Sequence, residues 1–77
     1  MTIEDRVKKV MLQNLDVKES QLVPTAAIRS ELGATSVDIV EILADLENEF
    51  NLEISDEDAM KLRTFGDLVA YLQARAQ

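Results

Sequence analysis

Four times in 77 residues a Ser or Thr is followed three positions later by an Asp: Thr2 with Asp5, Thr35 with Asp38, Ser55 with Asp58, and Thr64 with Asp67. In such a box the hydroxyl accepts an amide that the first turn of a helix leaves without a partner, and the acid reaches back to the capping residue. Each box opens an apolar-periodic stretch, so the pattern predicts four helices and a start for each. Nothing in the chain reads as a strand. The expected fold is all-α: a single domain over residues 1–77, built as a small four-helix bundle of three main helices and one short one, with a long first loop.

The spacing predicts a first helix from Ile3 to Leu15, with Ile3, Val7, Val10, Met11 and Leu15 on one stripe. Leu12 falls off it and is expected to pack under the loop that follows, Asp16 to Ala34. Leu22, Val23 and Ile28 are expected to pin that loop to the core, with Pro24 restricting it. A second helix, Ser36 to Phe50, gathers Ile39, Val40, Leu43, Leu46 and Phe50 on one arc and Asp38, Glu41, Asp45 and Glu49 on the opposite one. Glu47 lies on the apolar arc and reads as a boundary residue whose carboxylate reaches out to water. Val37 and Ala44 form an apolar shoulder beside the acids. Asn51 tolerates the left-handed conformation that commonly ends a helix. A short helix after Ser55 and a last one from Phe65 to Arg75, with Phe65, Leu68, Val69 and Leu72 inward, complete the set.

With so short a chain, a single core supplies about 3–5 kcal/mol of net stability, and with no Cys no disulfide adds to it. No apolar run reaches the length of a membrane span, and MTIEDRVKK lacks the apolar stretch of a secretion signal, so a cytoplasmic protein without membrane insertion is expected. The net charge of −7 argues against nucleic acid as a partner. Its distribution is uneven: Glu31 to Asp58 holds ten acids and no Lys or Arg. That segment is either a solvated face or a docking surface for basic proteins.

The chemistry available is narrow. Without His or Cys the usual general base, thiolate nucleophile and soft metal ligands are missing. Lys61 is the only Lys beyond position 18, and no oxyanion-hole motif accompanies it. An enzyme is not expected. Asp56 and Asp58 have the alternate spacing of a calcium loop, but SDEDAMKL lacks its turn glycine and closing Glu. No metal site is expected. What remains is the junction ELGATSVDIVEIL, where Gly33 allows a tight entry, Thr35 caps, and Ser36 stands at the first helical position beside unsatisfied amides that favour an anion. On capping rules alone, Ser36 either shares the capping with Thr35 or offers a free hydroxyl.

These residues resemble a family. From IEDRVKKV through ELGATSVDIVEIL and LENEFNLEISDEDAMKL to the last helix, nearly the whole chain is similar to the bacterial type II acyl carrier proteins. The resemblance implies that Ser36 accepts 4′-phosphopantetheine from coenzyme A through a phosphopantetheinyl transferase. It also implies a monomer that carries acyl groups as thioesters to fatty acid synthesis enzymes and acyltransferases. Basic patches on those partners would meet Val37, Asp38, Val40, Glu41, Glu47 and Glu49. An acyl pocket would draw on Val7, Ile28, Ile39, Leu46, Ile54, Ala59, Leu62, Leu68 and Tyr71.

Three positions depart from the family pattern: Thr35 in place of the usual Asp, Ala44 in place of a bulky residue, and Asp45 in place of a small one. They point toward altered transferase recognition or partner choice. A specialised carrier for polyketide, nonribosomal peptide or modified-lipid assembly is the alternative. An acidic helical adaptor without a prosthetic group is a third reading.

Overall fold

The computed structural model describes residues 1–75; the last two residues of the predicted domain lie outside the described residues. Its helices are α1 (Ile3–Asn14), α2 (Ser36–Phe50), α3 (Asp56–Ala59) and α4 (Phe65–Arg75), with a 3-10 turn at Glu19–Gln21 inside the long connection. α1 stops one residue short of the expected end, and Leu15 serves as its C-cap.

All four predicted boxes deliver their hydroxyl. Thr2, Thr35, Ser55 and Thr64 accept the amides of Asp5, Asp38, Asp58 and Asp67 at 3.0–3.1 Å. The acid returns the bond in three of them. Asp58 is the exception: its carboxylate accepts the Tyr71 hydroxyl at 2.8 Å and lies 3.8 Å from Arg75, so it fastens α3 to α4. Four residues bury too little apolar surface to hold a helix alone, and none of α3 is fully buried. Packing away from water and the Asp58 hydrogen bond push the Tyr71 phenol above its ordinary pKa.

α1 packs on α2 and on α4. Val7, Val10 and Met11 from α1, Ile42, Leu46 and Phe50 from α2, and Phe65, Leu68 and Leu72 from α4 make the core, with Leu22, Ile28 and Leu32 contributed by the long connection. Two expectations for that region fail. Val23 is 46% exposed and Leu12 is 40% exposed, and the connection is anchored by Leu22, Ile28 and Leu32 instead.

Backbone pairing does much of the fixing. Ala27 forms an isolated antiparallel bridge with Thr64; the Ile28 amide donates to the Arg63 carbonyl and the Phe65 amide to the Ala26 carbonyl, each at 3.0 Å. The Gly66 amide donates to the Pro24 carbonyl at 3.0 Å, and a methyl group at Gly66 would sit 2.7 Å from that oxygen. Only glycine permits this approach.

The α2 surface also differs from the expected wheel. Ile42 is buried, whereas Val40 is 66% exposed. Asp45 and Glu49 face α1 instead of open solvent: Asn14 donates to Asp45 at 2.9 Å, while Arg6 and Lys9 reach Glu49 at 2.9 and 3.5 Å. Arg6 also donates to the Glu49 carbonyl at 2.7 Å and lies over the Phe50 ring, closing the last turn of α2. Asn51 ends that helix in the left-handed region, with φ 53°, as its side chain allows.

Gly66→Ala is expected to lower unfolding stability by about 1–3 kcal/mol, as overpacking against rigid backbone does, read from urea melts followed by circular dichroism. Stability should also fall in acid. The Arg6 hydrogen bond holds Glu49 below its ordinary pKa of 4.5, and the backbone amides of Arg63 and Thr64 hold Asp67 below 3.8. With folded pKa values depressed, the stabilisation is complete above the unfolded values and is lost as pH drops through the folded ones. Glu49→Gln should flatten the dependence of the urea midpoint on pH below about pH 5.

Candidate functional site

The site forms where the long connection turns into α2. Gly33 has φ 75°, a left-handed value that lets the chain double back ahead of the helix. Thr35 then accepts the Asp38 amide at 3.1 Å, and Asp38 accepts the Thr35 amide at 2.9 Å. With the cap complete, Ser36 is left at the first helical position, exposed, its hydroxyl unneeded for capping. The amides of Ser36 and Val37 precede any intrahelical acceptor and point out of the helix end, where they favour an anion.

A residue that sequence reasoning passed over completes the site. Arg29, on the connection, donates from Nη2 to Ser36 Oγ at 2.7 Å. One signal in the sequence could have found it: Arg29 is the only base between Lys18 and Lys61.

Beside Arg29 opens a cleft of about 650 Å³ between the connection, α2 and α3. Of the residues expected to line a pocket, Ile28, Ile39, Ala59 and Leu62 border it. Leu43 and Met60, not on the expected list, border it as well, and Ala27, Arg29, Ser30, Asp56 and Arg63 supply its rim. Val7, Leu46 and Leu68 are fully buried in the core instead, while Ile54 and Tyr71 are half-buried against that core and outside the cleft.

The residues expected to meet partners separate into two groups. Val37, Val40 and Glu41 are exposed and Asp38 is partly so, continuing from Ser36 along one side of α2. Glu47 and Glu49 have partners within the chain. Glu47 is half-buried, at the boundary as expected, but its carboxylate accepts the Ile54 amide at 2.7 Å and secures the turn from α2 toward α3. Among the described residues no cluster of three His, Cys, Asp or Glu side chains could hold a metal, and no helix is long and apolar enough to cross a membrane.

The family profile described as "Phosphopantetheine attachment site" matches residues 5–72. The chain belongs to the acyl carrier protein family. The solved acyl carrier protein of Enterococcus faecalis, described for its high thermal stability, is 35% identical, with a TM-score of 0.80 over 99% of this chain and 100% of that one. Proteins of this family are carriers and not enzymes, and the group they carry is covalent 4′-phosphopantetheine.

The geometry around Ser36 fits such a group. An exposed hydroxyl is open to esterification there, and the outward amides and the Arg29 guanidinium suit a phosphodiester. When bound, the group supplies the thiol that this polypeptide lacks. Because the whole site rests on the cap, Thr35→Ala is expected to cost about 0.5–2 kcal/mol of stability, measured by urea denaturation of the unmodified chain.

Proposed function

We propose that Ser36 is the attachment residue and that the chain carries growing acyl groups, as thioesters on the 4′-phosphopantetheine arm, to the enzymes of fatty acid synthesis in the cytoplasm. The observation that carries this reading is the exposed Ser36 hydroxyl, free of capping duty, at the head of an exposed strip of Val37, Val40 and Glu41. A phosphopantetheinyl transferase has access to that hydroxyl from solvent. Enzymes with basic patches would find Asp38 and Glu41 on the same side of α2, with the two valines between them supplying apolar contact. A monomer suffices for this role.

A specialised carrier for polyketide, nonribosomal peptide or modified-lipid assembly is the second reading, favoured by the charge at the site. Thr35 replaces an acid next to Ser36, and Arg29 adds a cation, so the hydroxyl sits in a less negative setting than the resemblance would supply. Asp45 does not add to this reading, since Asn14 holds its carboxylate against α1.

Incubation with coenzyme A and a broad-specificity transferase is expected to add one phosphopantetheine to the wild type, read by intact mass, and none to Ser36→Ala. A wild type that gains no arm, or a variant that gains one equally, would refute the attachment reading. The acyl group found on protein purified from its native cells separates fatty acid synthesis from specialised assembly.

A further inference from the structure

Arg29 is placed unlike the other arginines and lysines that have partners in this chain. Arg6, Lys8, Lys9 and Arg75 each meet a carboxylate, whereas Arg29, at the edge of a segment with ten acids and no base, forms no ion pair among the described residues. It spends a charged donor on the neutral Ser36 hydroxyl at 2.7 Å. A guanidinium has five donors in a planar fork suited to phosphate oxygens, and a neutral hydroxyl uses only one of them. The same side chain borders the cleft, with Ile39, Leu43 and Met60 beyond it.

We propose that Arg29 is a positioning residue for the prosthetic group: its guanidinium takes up the phosphodiester once Ser36 is esterified. This rests on Ser36 being the attachment residue. In esterification Ser36 Oγ bonds to the phosphorus that bears the pantetheine, the pyrophosphate link of coenzyme A breaks, adenosine 3′,5′-bisphosphate leaves and the hydroxyl proton passes to solvent. An anion then lies where Arg29 already donates, so a bond from a charged donor to a neutral acceptor becomes an ion pair. The outward amides at the start of α2 favour the same charge from the other side. A phosphate held between them starts the tether at the rim of the cleft. With Arg29 removed, the helix end alone would hold the anion and the first bonds of the arm would swing more freely.

The test compares apo and loaded forms of the wild type, Arg29→Gln and Arg29→Lys, with intact mass and tryptic mapping establishing an arm on Ser36. In loaded wild type, the Arg29 side-chain Nε–Hε resonance is expected to shift relative to the apo form. The ³¹P resonance of the loaded protein should move toward that of the same phosphodiester in the urea-unfolded loaded protein in Arg29→Gln, with Arg29→Lys intermediate. High salt should move the wild-type ³¹P line the same way. A merely structural Arg29 would lower the melting temperature of apo and loaded forms alike and leave the phosphorus line in place. If the arm is on Ser36 but the wild-type Arg29 resonance does not respond to loading, the proposal for Arg29 is overturned and the attachment reading stands. If no arm is gained at Ser36, both fall. The wild-type measurement needs no variant, so poor folding or poor loading of Arg29→Gln cannot mask the outcome.

Discussion

The reciprocal bond between Thr35 and Asp38 fixes the residue at which α2 begins, and the site depends on that choice. Were the helix to start one residue later, Ser36 would become the capping side chain and its hydroxyl would turn inward onto an amide. By taking the cap, Thr35 leaves the neighbouring hydroxyl facing water beside unpaired amides. The far end is held as firmly. Arg6 grips both the carboxylate and the carbonyl of Glu49 and covers Phe50, while Asn51 turns the chain away. A helix of fifteen residues fixed at both ends keeps its exposed strip in constant register with Ser36.

The acids of α2 do two kinds of work. Asp45, Glu47 and Glu49 fasten the helix to Asn14, Ile54, Arg6 and Lys9, so three of its five acids are internal ties. Glu41 remains exposed and Asp38 is divided between its capping bond and partial exposure. The negative face available to a partner is thus narrower than the charge count suggests, and it lies close to Ser36.

Helix number, helix starts and the position of Ser36 were legible in the sequence because capping and periodicity are local: each depends on residues three or four apart. The side of α2 that faces α1 was not. A wheel drawn from apolar residues placed Val40 inward, but the buried line runs through Ile42, Leu46 and Phe50, since α1 brings Arg6, Lys9 and Asn14 to the seam and makes acids welcome there. The Ala27–Thr64 bridge had no sequence signal either; backbone pairing between residues far apart is indifferent to side-chain identity, and only Gly66 marked the close approach. Arg29 was missed for a similar reason. Its partner is seven residues away across a turn whose path depends on the left-handed Gly33.

The bond from the Ile28 amide to the Arg63 carbonyl joins the two walls of the cleft at one seam, since Ala27 to Arg29 border one side and Leu62 and Arg63 the other. The cleft is thus a purse sewn along one edge by backbone, a stitch that no side-chain truncation at Ile28 or Arg63 removes.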